Sequence, residues 1–391
     1  MRNNIFNWMK LSSFIFALSS LFASCSNELD EALQPANNGT LQFVVSDFPM
    51  FGEGIQTRVI GTEDPGKTAW ENGDQIIVTL ISQKYGEQAV ALTYNGSSWS
   101  TEASLSYLEN ETPSVSVFYA PCYEVTEEGT MQLRSGMQLG MTEYLSGNYE
   151  IENGIMTITF EGAIRTYSRL RIAGLANQTL TVTTTDFTPA GATEVATAAY
   201  TLNTDNNGNA FLYGVFAEDA TVSVKQGDIT LRDYTFSADK NPNGTEHNKS
   251  YALDARPVID GTLGGKATAE ESDITALVEQ LKAYVDKGIT TIIVPGTEYA
   301  MYKSNLGTIP AFAEALYLLT DLNEDSPYCG TIDLILPDAT EIIDFSFDSA
   351  DALKSITLPK VTTVGDGAFY GCYYLQTITF GSVVTAINHN T

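Results

Sequence analysis

Few side chains in this 391-residue sequence could move a proton at neutral pH. Two histidines are present. His247 follows the turn residues Asn243-Gly244-Thr245, and His389 lies two residues before Thr391. A Ser-His or Cys-His relay would have to be built on a loop or a terminal tail, where nothing holds an imidazole in place. Asp and Glu number 48, so a pair suited to glycosidic cleavage exists on paper. They are scattered over turns and alternating strands, as solvated residues are. The chain has no GxSxG, HExxH, P-loop or dinucleotide-binding pattern. Cys122, Cys329 and Cys372 are far apart, without metal-ligand spacing or the dense, even set of a disulfide scaffold, and read as buried apolar residues. The expectation is a protein that is not an enzyme, with no cofactor and no metal.

The fourth thiol, Cys25, has a chemistry of its own. Arg2 and Lys10 precede an apolar core from Leu11 to Phe22 that ends in Leu21-Phe22-Ala23-Ser24-Cys25. The run is shorter than the roughly 20 residues a membrane-spanning helix needs, so it reads as an export signal over residues 1–24. Its end resembles the lipobox of bacterial lipoproteins, although Phe22 and Ser24 depart from the commonest residues there. The resemblance implies a lipid on Cys25; ordinary secretory cleavage nearby is the alternative. Ser26-Asn27-Glu28-Leu29-Asp30-Glu31 opens an acidic tether (25–39) similar to those that send Gram-negative lipoproteins to the outer face of the outer membrane. Lys and Arg total 20 against the 48 acids, a net charge of −28. That charge repels nucleic acid and anionic lipid surfaces.

These residues must be positioned by two kinds of element, which meet near residue 260. Before it come short alternating runs such as Asp74 to Leu80, Val115 to Tyr119, Met156 to Phe160 and Leu180 to Thr184, with Asn-Gly pairs at 72, 95, 153, 207 and 243 suited to tight turns. The pattern predicts an all-β region, most simply sandwiches. Residues 200–215 read as a hairpin around Asp205-Asn206-Asn207-Gly208-Asn209. The same loop half-matches a calcium site from Asn203, but Gly214 stands where a bidentate Glu is needed, so no calcium is expected.

Four motifs in order carry a resemblance. Thr57-Arg58-Val59 followed by Trp70-Glu71-Asn72-Gly73-Asp74-Gln75-Ile76-Ile77-Val78, then Val117-Phe118-Tyr119-Ala120-Pro121, then Phe160 through Leu170-Arg171-Ile172, then Lys249-Ser250-Tyr251-Ala252-Leu253 are similar to the fimbrillin-like proteins of anaerobic Gram-negative bacteria. The histidine of the third motif is absent, with Gly162 and Ala163 in its neighbourhood. The resemblance covers 40–256. It implies two transthyretin-like β-sandwich subdomains with a boundary near 165–195, and assembly with fimbrial subunits by strand exchange. In relatives an arginine protease removes an N-terminal strand, which makes Arg58 the candidate cut site. Each residue type also has a plain packing role in a sandwich core.

Residues 257–391 read as a separate module. Ser272-Asp273 can cap a helix whose apolar stripe is Ile274, Leu277, Val278, Leu281 and Val285, and a second helix is expected over Pro310 to Leu322. Sliding the sequence by 22 residues aligns Leu334 with Ile356 and Ile378, Leu336 with Leu358 and Phe380, and Phe347 with Phe369. This is the signature of a leucine-rich solenoid, with Ile292-Ile293-Val294-Pro295 as a divergent first strand. The unit from Leu353 to Cys372 is very similar to BspA-type leucine-rich repeats. The array stops after Ile387 without a polar capping repeat, so it is either short or closed by a partner.

The fold class expected is therefore mainly β: two sandwich subdomains followed by a short α/β leucine-rich-repeat solenoid. Function comes from resemblance: a lipid-anchored adhesion protein of the outer-membrane surface, as an accessory fimbrial subunit or fimbrillin-related adhesin. The alternative is a solitary receptor for a host protein or glycan, including nutrient glycan capture. The candidate ligand face is Lys354, Thr357, Gln376 and Thr379, and an exposed cluster of Tyr370, Tyr373 and Tyr374 would favour glycan capture.

Overall fold

The computed structural model describes residues 42–49, 66–108, 111–152, 155–160, 165–239, 243–305, 307–321 and 323–388. Cys25, the tether, Arg58 and His389 lie outside them. The chain is mainly β, and its strands form three bodies of core.

The first body is a seven-stranded sheet ordered β1-β9-β8-β5-β2-β3-β4. Its strands are β1 (Gln42–Val45), β2 (Gln75–Ser82), β3 (Gly86–Tyr94), β4 (Trp99–Ser100), β5 (Ser114–Tyr119), β8 (Leu145–Glu152) and β9 (Ile155–Thr159), with a small hairpin β6 (Tyr123–Val125) and β7 (Met131–Leu133) beside it. The end strands β1 and β4 approach one another, so the sheet curls around its own core. Alternation along β2 and β9 sends Ile76, Val78, Leu80, Met156 and Ile158 inward, all fully buried. Trp70 fastens the curl. Its indole N–H donates to the Ser46 carbonyl at 2.8 Å, and its rings meet Phe48, Trp99, Tyr119 and Phe160 edge-on at 4.8 to 5.6 Å, the favoured geometry for aromatic pairs. β1 joins at the edge through four parallel pairs with β9.

The second body comprises β10 (Ser168–Ala173), β11 (Thr179–Pro189), β12 (Ala196–Asn203), β13 (Asn209–Phe216), β14 (Thr221–Gln226), β15 (Ile229–Thr235) and β16 (Ser250–Asp254). Along one edge β11 serves two partners in turn. Thr181 to Thr184 pair with β14, the chain bends at Asp186, which has φ +50°, and Phe187 to Pro189 pair with β13. A strand that changes partners at a bend forms the corner between two layers. Gly214 is obligatory there, because a Cβ would overlap the Phe187 ring and the Thr188 carbonyl. The expected hairpin over 200–215 does not form. β12 pairs with β11 while β13 pairs with β10, and Asp205 to Asn209 only carry the chain from one to the other.

In the third body, α1 (Glu271–Asp286) and α2 (Ala311–Leu318) pack beside a parallel ladder of β17 (Thr291–Ile293), β20 (Ile332–Ile335), β22 (Leu353–Leu358) and β24 (Thr377–Phe380). A hairpin of β18 (Met301–Ser304) and β19 (Gly307–Pro310) lies between the helices in sequence. A second parallel ladder joins β21 (Glu341–Ile342), β23 (Thr363–Val364) and β25 (Ala386–Ile387). The divergent first strand is present, pairing Ile292 with Leu334. The helices differ from expectation in their ends. α1 is capped at Glu270, whose backbone N–H donates to the Asp273 carboxylate at 2.9 Å in a capping box, rather than at Ser272. α2 is an eight-residue helix ending at Leu318, shorter than expected.

The first two bodies meet around a buried ion pair. Arg165 donates to Glu143 at 2.8 and 3.0 Å and the Tyr167 hydroxyl donates to the same carboxylate at 3.2 Å, with both charged groups almost fully buried. Removing one partner of such a pair strands the other charge, at a cost of about 3–5 kcal/mol. Glu143→Ala is therefore expected to lower the free energy of unfolding by an amount in that range, read as a fall in the urea midpoint at unchanged m-value. Glu314 on α2 is the opposite case. Its Oε2 is the one buried side-chain N or O atom without a partner among the described residues, and Glu314→Leu is expected to raise the thermal midpoint, since an unsatisfied buried polar group costs roughly 1–3 kcal/mol.

Candidate functional site

The repeat ladder presents one continuous outer face. Leu334, Ile356 and Ile378 align across β20, β22 and β24 and point to the core, so their neighbours point out. Two rows result: Thr291, Asp333, Ser355 and Thr377 in the first, and Ile293, Ile335, Thr357 and Thr379 in the second. The 22-residue step also aligns polar contacts. The Ser355 hydroxyl donates to Asp333 at 2.6 Å, Lys360 to Asp338 at 2.7 Å, the Asp366 amide to Asp344 at 2.8 Å, and the Tyr373 amide to Asp351 at 3.1 Å. Phe347 and Phe369 stack at 5.5 Å with rings 5° from parallel. At Gly381 the turns approach so closely that a Cβ would overlap the Pro359 carbonyl oxygen.

All four proposed face residues fall on β22, β24 and their entry. Thr357 and Thr379 are register partners, and the Gln376 amide donates to the Lys354 carbonyl at 2.8 Å. Lys354, Gln376 and Thr379 are exposed, and Thr357 is half-buried. Strict alternation would send Lys354 and Thr357 to opposite sides. The register between β20 and β22 slips after Ile332, which pairs with Leu353 while Asp333 pairs with Ser355. Lys354 is the extra residue of that bulge. Asp333, Ser355 and Thr377 also belong to the face, and two residues before Thr357 and Thr379 was the signal that could have found them.

The tyrosine trio divides. Tyr370 and Tyr373 are 62 % and 82 % exposed, whereas the Tyr374 hydroxyl donates to the Glu324 carbonyl at 2.8 Å. Cys372 is partly buried. Its Sγ lies 2.8 Å from the Phe347 carbonyl, and burial pushes the thiol up to about 12. Burial also raises Cys122. Both read as packing groups rather than nucleophiles.

A groove of about 470 Å³ lies where the first two bodies meet, lined by Lys67, Tyr119, Glu143, Asn203, Asp205 and Tyr213 among others. Its polar atoms are already engaged. Lys67 pairs with Asp74 at 2.8 Å, Glu143 holds Arg165, Asp205 accepts the Asn207 and Asn209 amides, and Asn203 accepts from the Thr179 hydroxyl. It is a self-satisfied seam. Among the described residues no group of three or more His, Cys, Asp or Glu could hold a metal ion, and no helix is long and apolar enough to cross a membrane.

Residues 328–391 match the model of the "BspA type Leucine rich repeat region (6 copies)". Strands β20 to β25 of the two parallel ladders fall within that region. No curated protein matches the chain. Some solved structures are weakly similar to it. One is the fimbrial anchor protein Mfa2 from Porphyromonas gingivalis, at 12% identity and a TM-score of 0.26, over 55% of this chain and 90% of that one. Another is a mutant of the shaft pilin spaA from Lactobacillus rhamnosus GG, at 12% identity and a TM-score of 0.18, over 47% and 93%. Both scores lie below the range of a shared fold.

The carboxylates between turns give the module a pH signature. Asp338 is held below its ordinary value of 3.8, chiefly by Lys360 and then by the Gly296 amide. A depressed carboxyl contributes stability above its unfolded value that is lost as the pH falls through the folded one. The difference in thermal midpoint between the native chain and Asp338→Asn is expected to be constant from neutrality down to about pH 4 and to close below it, as followed by fluorescence melting.

Proposed function

We propose that the chain is a non-enzymatic, lipid-anchored adhesion protein of the outer-membrane surface. The observation that carries this reading is the outer face of the repeat ladder. Its rows of Asp333, Ser355 and Thr377, and of Thr357 and Thr379, are held in register by backbone pairing across three turns. A surface so constrained loses little side-chain or backbone freedom on binding, which favours affinity for a host protein or glycan. Lys354 and Gln376 extend the face at the strand entries. Cys25 would carry the lipid, and residues 25–39 would hold the modules away from the membrane.

The β bodies support accessory membership of a fimbria. β1 lies at a sheet edge, is held by four pairs, and buries Phe43 and Val45 only in part. Arg58 falls between β1 and β2, so cleavage there would leave β1 attached without a covalent link, free to be replaced by a partner's strand. Solitary glycan capture is the second reading, and the exposure of Tyr370 and Tyr373 favours it, since saccharides stack on open aromatic faces.

Mild arginine-specific proteolysis in native surface extract, followed by a denaturing gel without boiling, separates the two. Accessory membership is expected to give a heat-labile ladder with a new N-terminus at Val59, and a single monomer band would overturn it. Binding of surface-extracted or host glycans and proteins that survives simultaneous substitution of Lys354, Thr357, Gln376 and Thr379 would remove the ligand face.

A further inference from the structure

A single short passage, Ala255-Arg256-Pro257, leads from β16 of the second body to the backbone bridge between Val258 and Ile293 in the repeat module. Bodies joined in this way turn about the passage unless a further contact prevents it, because interfaces within a chain resemble transient ones. Here a further contact exists. The turn between β14 and β15, Gly227-Asp228, brings the start of β15 against the module. Ile229 and Leu231 alternate onto one side of that strand and pack on the core of the third body, and Leu231 packs on the core of the second as well. Thr230, between them, is exposed.

The two attachments grip the same stretch of the module from opposite ends. Asp228 pairs with Lys287 at 3.0 Å, and Lys287 is the C-cap of α1. Six residues on, Ile293 donates to the Pro257 carbonyl and Ile259 donates to the Ile293 carbonyl, both at 2.9 Å. Between these points Ile289 and Ile292 are fully buried in the module's core. The ion pair lies in solvent and contributes little, so the apolar contact of Ile229 and Leu231 carries the second attachment. A body held at one point can turn about it. Held at two points, it can turn only about the line joining them, and side chains packed beside that line remove the last freedom.

We propose that the hairpin of β14 and β15 is a strap that locks the repeat module to the second body, so that the two move as one piece and the outer face of the ladder keeps a fixed direction relative to the β bodies. The strap, and not the linker, sets that direction. Releasing it leaves both cores folded but frees the module to turn about Arg256-Pro257, and the backbone bonds of the junction then open without unfolding of the second body. This is independent of what the outer face binds.

Amide hydrogen exchange of the full chain, followed by mass spectrometry, tests the strap. Ile229→Asp puts a charge into the apolar contact and is expected to speed exchange at Ile259, Ile289 and Ile293 roughly tenfold or more, with β11 and β13 unchanged. Thr230→Asp adds the same charge to the same strand on its exposed side, and is expected to leave the junction amides at the native rate. If Ile229→Asp also loosens β11 and β13, the comparison passes to Ile229→Ala, for which faster exchange confined to the junction is expected. Junction amides that keep the native rate in both Ile229 variants, loosening of β11 and β13 together with the junction in Ile229→Ala, or equal loosening by Thr230→Asp each overturns the proposal.

Discussion

A parallel sheet wound from one chain can grow only if every turn returns the strand one spacing further on with the same side chains facing inward. Here the advance is 22 residues, and the third body is built around that constancy. It stacks Leu334, Ile356 and Ile378 in the core and Phe347 on Phe369. It sets Ser355 against Asp333 and Lys360 against Asp338 at the surface. It also requires glycine at 381, where adjacent turns leave no room for a Cβ over Pro359. One added or lost residue in a turn would misalign all of these contacts together.

That constancy is why the repeat was legible in the sequence; the divergent strand at Ile292 lies 42 residues before its partner Leu334 and is marked by its apolar run instead. Periodicity is a property of the chain and survives without knowledge of neighbours. Strand partnership is not. The turn residues Asp205 to Asn209 correctly mark a reversal, but turn chemistry is local and cannot say which strand comes alongside. β11 takes β12 along most of its length and, past the bend at Asp186, touches β13 only at its end, while β13 lies along β10, so the two strands flanking the turn go to different main neighbours. The helix start was missed by two residues for a related reason: Ser272 has the commoner capping side chain, yet the reciprocal contact between Glu270 and Asp273 decides the boundary.

The face was partly legible. Thr357 and Thr379 follow from alternation and the period, whereas Gln376, three residues before Thr379, does not. Lys354 reaches the surface through a register slip that no spacing rule foretells, while Asp333, Ser355 and Thr377 were within reach of the same arithmetic. Residue type alone left Tyr370, Tyr373 and Tyr374 undecided, because tyrosine suits both an interior and an open surface. The structure sends two outward and ties the third to Glu324. The buried Glu143 and Arg165 pair, 22 residues apart in sequence, carried no sequence signal at all.

The short passage between β16 and the repeat module has a mechanical meaning. β16 ends at Asp254, Arg256 is tied back to it by a 2.9 Å ion pair, and Pro257 already accepts a hydrogen bond from Ile293. Tension between the N-terminal side of the chain and the repeat face therefore reaches β16 without slack. β16 lies parallel to β10 over five register pairs, and the load draws the C-terminal end of one strand away from the N-terminal end of the other. Their hydrogen bonds are then sheared side by side and must yield together, instead of opening one after another like a peeled hairpin. A protein pulled by whatever it holds would resist longest at that joint.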